Sequence, residues 1–227
     1  MPEDGRAPRD AVRIVLRPLA SPLPLGLLGL GAGTTVLAGL QLGWVPSSQG
    51  DLVASVVLVV AVPLQAVASA VGFVARDPAA ATAMGTLSAT WAAIGVLLLV
   101  APSSGAPIRA LGLVLFFLAA AVLLSATVAS SSKLLLALVL ATATLRFALT
   151  GVYEWLGGTG WLHVAGWVGV ALGALALAAA GAFEIEAARR GPIAVTGRRD
   201  AGRTALSGDG LETVGPLAHE AGVRDQL

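Results

Sequence analysis

The chain has 227 residues, 56% of them hydrophobic and only 12% charged, against roughly 45–50% and 25% in soluble domains. Water is therefore not its main solvent. With 14 basic and 13 acidic residues and no cysteine, disulfides, thiolate metal sites and a cysteine nucleophile are excluded, and the near-zero net charge gives no basis for a nucleic-acid partner.

A bilayer core about 30 Å thick is crossed by roughly 20 apolar residues in a helix. Six charge-poor runs of that length are predicted, over 23–44, 52–74, 80–101, 108–129, 134–156 and 162–183. They lack the polar/apolar alternation of a membrane barrel and are rich in Leu, Ala and Gly, so helices rather than strands are expected. The first run starts after about twenty mostly polar residues and reaches full span length, unlike a cleaved signal. Residues 1–20 and 187–227 read as cytoplasmic tails, the second too poor in apolar residues to build a core and expected to be disordered. Between them, 21–186 forms one membrane domain. The predicted fold is all-α, with six transmembrane helices.

Orientation follows from the basic residues of tails and short loops, which stay on the cytoplasmic side. With the N-terminus inside, Arg6, Arg9, Arg13, Arg17, Arg76, Lys133, Arg189, Arg190, Arg198, Arg199, Arg203 and Arg224 are cytoplasmic and only Arg109 is outside. A multi-pass cell-membrane protein with both termini cytoplasmic is expected, its basic flanks meeting anionic lipid headgroups.

The first span opens on Ser21, Pro22, Leu23, Pro24, Leu25 and Gly26, where two prolines fix two φ angles and remove two donors. Gly26, Gly29, Gly31 and Gly33 follow, and Ala165, Gly169 and Gly173 recur every four residues on the last span. Such small-residue ridges let helices approach closely in lipid.

Catalysis is not expected. The spans hold a single histidine, His163, near the outer end of the last one, no Gly-x-Ser-x-Gly elbow, no His/Asp/Glu cluster and no phosphate loop, so no catalytic residue, metal or cofactor is assigned. What the spans do hold is neutral polar side chains, among them Thr34, Thr35, Gln41, Gln65, Ser69, Thr86, Ser88, Thr90, Thr142, Thr144 and Thr150. Many of these return a hydroxyl to their own helix. Gln65 cannot do so easily, and it follows Pro63, which is expected to kink the second span and create a polar pocket. Arg146 falls midway along the fifth span, where insertion costs about 2.5–3.5 kcal/mol. Glu154, eight residues on, is about 12 Å away along the helix. Arg146 must therefore reach carbonyls of another helix, or act as an attractor for an anion.

The run from Ser21 to Thr35 resembles the Asn-Pro-Ala-Pro-Leu-Gly-Leu signature of the acetate uptake transporter family, which includes the succinate–acetate permeases. Gln65 to Phe73, Ala83 to Trp91 and His163 to Gly173 are similar to the family's second, third and sixth spans, in the same order. The resemblance implies a six-helix protomer, a homo-oligomer in the form of a hexameric ring, and a pore in each protomer for small monocarboxylates. It also implies a constriction at Leu30, Leu87 and Thr142, with Thr34, Thr35, Gln65, Thr86 and Arg146 as polar pore-lining candidates. The two constriction aromatics of the family are leucines here, the signature's asparagine is Ser21, and an acidic residue of its second span falls on Gly72. The function expected is a transporter or channel for small organic anions, acetate-like monocarboxylates, with proton coupling as one possible mode. A pore for neutral amides such as urea, and a non-transporting scaffold or sensor subunit, are the rival readings.

Overall fold

The computed structural model describes residues 20–100, 107–189 and 193–199. The two expected tails lie outside these residues apart from Ala20, 187–189 and 193–199. Six helices are long and apolar enough to cross a bilayer: α1 (Leu23–Gln41), α2 (Ser47–Val74), α3 (Pro78–Val100), α4 (Arg109–Ser130), α5 (Leu134–Leu156) and α6 (Thr159–Arg189). Among the described residues the only strand-like feature is an isolated antiparallel bridge between Lys133 and Arg198.

Each helix packs beside the next in sequence, and α6 closes against α1. The result is a ring in chain order, its odd-numbered helices running one way and its even-numbered helices the other. We call the end where α1 begins and α6 ends the near end, and the opposite one the far end. Large apolar side chains remain exposed on the outside, among them Leu28, Val59, Phe73, Phe117, Leu124, Leu138 and Leu177, as suits helices solvated by lipid on one face and by protein on the other. Trp44, Trp155, Trp161 and Trp167 are exposed toward the far end, where indoles favour the membrane interface.

Helix seams are closed by missing side chains. A Cβ built on Gly173 of α6 would clash with Thr35 Oγ1 of α1, one on Gly33 of α1 would stand 2.9 Å from Ala61 Cβ of α2, and one on Gly112 of α4 3.1 Å from the Gly151 carbonyl of α5. In lipid, where burial of apolar surface gives no advantage between helices, this van der Waals contact holds the ring together.

The expected disturbance at Pro63 takes the form of a π-helical turn over Val57–Ala61 in α2, a usual accommodation of a residue that cannot donate. Ser88 Oγ of α3 donates to the Val62 carbonyl beside it (3.0 Å). The α2–α3 turn then reads directly from Asp77-Pro78. Asp77 is the N-cap, its Oδ1 accepting from the Ala80 amide (3.2 Å), and proline occupies the first helical position.

α6 runs past the expected boundary at 183 to Arg189, and residues 193–199 fold back onto the near ends of α5 and α6. Thr196 is fully buried there.

Candidate functional site

Four helices meet around Arg146. Its side chain leaves α5 and reaches α1, where Nη2 donates to the Thr34 carbonyl (3.3 Å) and to Gln41 Oε1 (3.3 Å). It passes Gly169 of α6, whose Cβ, if present, would lie 2.6 Å from Nη1 and 2.8 Å from Cζ. The guanidinium also stands 5.9 Å from the ring centroid of Trp91 on α3. The Trp91 indole is wedged edge-on to Phe147, with centroids 5.7 Å apart, and lies against Gly33 of α1. Gln41 Nε2 donates to Thr150 Oγ1 (3.5 Å), which in turn donates to the Arg146 carbonyl (3.0 Å).

Arg146, Thr34 and Trp91 are fully buried. Two ion pairs join described residues, Lys133 with Asp77 and Arg198 with Glu186, and neither involves Arg146. The expectation that Arg146 satisfies itself on another helix's carbonyl is met by Thr34, but only for Nη2. Arg146 Nε and Nη1, Thr34 Oγ1, Trp91 Nε1 and Gln65 Oε1 are all buried without a hydrogen-bond partner. Buried polar atoms left in this state are costly, and a buried charge more so.

The polar groups form a file along α1. Gln65 Nε2 donates to the Gly26 carbonyl (3.4 Å), Arg146 reaches Thr34, and Gln41 joins Thr150. From Gly26 to Gln41 this covers about 22 Å of helix at 1.5 Å per residue, most of a bilayer core.

Leu30 and Leu87 are fully buried. Each stands four residues, one turn of about 6 Å, on the near side of a member of the Arg146 cluster: Thr34 on α1 and Trp91 on α3. Thr142 is not brought to this layer. Its hydroxyl returns to the Leu138 carbonyl of its own helix (2.9 Å), and the buried stripe of α5 runs through Leu136, Val139, Leu140, Ala143, Arg146, Phe147 and Thr150. Ala143 is the residue of that stripe one turn before Phe147.

The other candidates divide similarly. Thr35 is exposed, at the α1–α6 seam beside Gly173. Thr86 is half-buried, its carbonyl accepting from Thr90 Oγ1 (2.8 Å). Of the opening motif, Ser21 Oγ accepts from the Leu23 amide (3.4 Å). Pro22 and Pro24 are buried, and Gly26 leaves room for Met84 and Ala68. These residues fix the near end of α1 rather than line the Arg146 cluster.

Three members of the cluster were not assigned to it from the sequence: Gln41, Thr150 and Trp91. The signal was spacing. Gln41 follows Thr34 by seven residues and Thr150 follows Arg146 by four, each a same-face interval on a helix.

No protein-family model matches the sequence, and no curated protein does. Among solved structures, the bacterial acetate channel SatP superposes with a TM-score of 0.66 at 23% sequence identity, over 74% of this chain and 93% of that one. The chain has the six-helix fold of that channel.

Proposed function

We propose that the protein is a multi-pass membrane channel or transporter for small organic anions, namely acetate-like monocarboxylates. We also propose that it works as a homo-oligomer in the cell membrane with both chain ends cytoplasmic. A reporter fused to the C-terminus is expected to be active only on the cytoplasmic face. The observation that carries the functional reading is Arg146, a buried cation with two donor nitrogens unpartnered and, among the described residues, no carboxylate paired with it. A passing anion supplies the missing charge and acceptors. The fold shared with an acetate channel points the same way.

The layering gives the reading a mechanism. An anion shedding water meets hydroxyls, an amide and the guanidinium in sequence, so its desolvation is offset in steps. One turn toward the near end, Leu30, Leu87 and Ala143 present only hydrocarbon. A dry layer of that kind admits a small solute with a methyl end and opposes hydrated ions.

Proteoliposomes holding the full chain test this. Acetate flux is expected in wild type, and Arg146→Gln should lower it roughly ten- to a hundredfold, the loss of a hydrogen bond to a charged group being about 1.5–3 kcal/mol. Leu87→Ala should raise propionate flux relative to acetate. Absence of any flux would favour a scaffold, and flux indifferent to substrate ionisation and to Arg146→Gln would favour an amide pore; either result ends the monocarboxylate reading. An imposed pH gradient in the same vesicles separates proton-coupled uptake from channel-like passage.

A further inference from the structure

The cluster around Arg146 does more than present a positive field. Thr34 Oγ1 and Trp91 Nε1 are buried and unpartnered together with Arg146 Nε and Nη1. These atoms belong to immediate neighbours, since Arg146 Nη2 holds the Thr34 carbonyl at 3.3 Å and Cζ is 5.9 Å from the Trp91 ring centroid. All four can donate, and a carboxylate accepts through about four lone-pair sites on its two oxygens.

We propose that Arg146 Nε and Nη1, Trp91 Nε1 and Thr34 Oγ1 form one saturable binding site for a single small carboxylate, a resting place within the pathway rather than a diffuse attractor. The proposal rests on the monocarboxylate reading above and adds its ligands.

The donors are held in place before any ligand arrives. The Trp91 indole is fixed by Phe147 and Gly33. Arg146 is fixed by Thr34, Gln41 and the space over Gly169. A site whose groups are already oriented spends little binding energy on ordering them. The same inventory limits the ligand. One guanidinium neutralises one carboxylate, and a second carboxylate on the same molecule would be buried without a cation, at high cost. The hydrocarbon of the ligand has the Leu30, Leu87 and Ala143 layer one turn away. The class that fits is a monocarboxylate with a short apolar end, not a dicarboxylate and not a neutral amide.

The test reads binding apart from transport. The full chain, labelled with 5-fluorotryptophan in detergent micelles, carries five tryptophans, and Trp91→Phe identifies the Trp91 fluorine resonance. Sodium acetate is expected to shift that resonance saturably. Sodium chloride at equal ionic strength and acetamide should leave it in place, and succinate should shift it at least tenfold less effectively than acetate. Thr34→Val keeps the side-chain shape and removes the hydroxyl, and should raise the acetate concentration at half-shift about tenfold, the equivalent of about 1.4 kcal/mol. A Trp91 resonance that acetate does not move, that chloride moves equally, or whose midpoint is unchanged in Thr34→Val overturns the site. The wild-type titration decides the point even if Thr34→Val does not fold, and the Trp91 resonance is also identified by elimination, from Phe variants of the exposed Trp44, Trp155, Trp161 and Trp167. Flux without a Trp91 response would leave the transport reading standing and remove this site, whereas a Trp91 response without flux would do the reverse.

Discussion

Gly169→Leu is expected to prevent closure of the ring between α1 and α6, while Gly181→Leu on the same helix leaves it intact. A Cβ at position 169 would lie 2.6 Å from Arg146 Nη1, 2.8 Å from Cζ and 3.0 Å from Ala38 Cβ, whereas a Cβ at 181 meets nothing within 4 Å. The guanidinium is the end of a long side chain and can retreat; Ala38 sits on the backbone of α1 and cannot. Overpacking of a close contact by a few carbons typically costs about 1–3 kcal/mol, and a leucine here also strands the arginine away from Thr34 and Gln41. Size-exclusion chromatography in detergent should show aggregated or poorly expressed Gly169→Leu beside a wild-type-like Gly181→Leu. Gly169→Ala separates the two causes. It should assemble, with acetate flux reduced as in Arg146→Gln, because its single methyl displaces the guanidinium and asks α1 at Ala38 to give by only a few tenths of an ångström, whereas leucine adds three further carbons to the same contact. A Gly169→Leu protein that elutes and transports as wild type would show that α6 does not press on Arg146 at all.

The spans were legible because the length of a charge-poor run is a one-dimensional property. Their ends were less so. α1 was expected to reach residue 44, yet it stops at Gln41, where Gly43 takes a positive φ of 73° and the Val45 amide bonds back to the Gly39 carbonyl (3.0 Å). α6 outruns its expected end because Glu184 and Glu186 mark the limit of the apolar core but not of the helix. In the candidate site, Arg146 stood out from its depth alone, and the need for a carbonyl on another helix followed from the distance to Glu154. Glu154 in fact accepts from the Ile108 amide at the far end (2.6 Å). Which carbonyl Arg146 would find depends on the ring closure that places α1 across from α5, a tertiary fact with no local signal. Thr142 shows the opposite limit. One residue turns a helical side chain by about 100°, so a resemblance in sequence alone does not tell which of two neighbouring positions faces the interior. Ala143, its neighbour, is on the buried stripe.

Glu186→Ala is expected to release residues 193–199 from the near end of the ring. Glu186 Oε2 takes Arg198 Nε (2.7 Å) and Nη2 (2.6 Å), while Oε1 accepts from Thr196 Oγ1 (2.6 Å) and the Ile193 amide (3.4 Å). The side chains of this pair are 1% and 8% exposed, so the carboxylate is satisfied almost entirely by the segment that folds back. That segment in turn pairs with the α4–α5 turn. The Leu134 amide donates to the Gly197 carbonyl (3.3 Å) and the Arg199 amide to the Ser132 carbonyl (3.0 Å). The turn's Lys133 binds Asp77, the N-cap of α3. One carboxylate therefore anchors a chain of contacts from α6 to the α2–α3 turn. Removing one partner of a buried pair costs about 3–5 kcal/mol. The segment packs on the near ends of α5 and α6, so that loss is expected to appear locally. Amide hydrogen exchange of Leu134 and Arg199 should accelerate a hundredfold or more, 3 kcal/mol being about two factors of ten, while amides in the middle of α1 and α5 keep their protection. Thr196→Val, which removes one hydrogen bond and keeps the packing, should give a rise of about tenfold or less. If exchange at Leu134 and Arg199 is unchanged in Glu186→Ala, the backbone bridge and the Gly197–Leu134 contact hold the segment without the carboxylate. If exchange rises equally through the ring interior, the near-end contacts are part of the global fold rather than a separable strap.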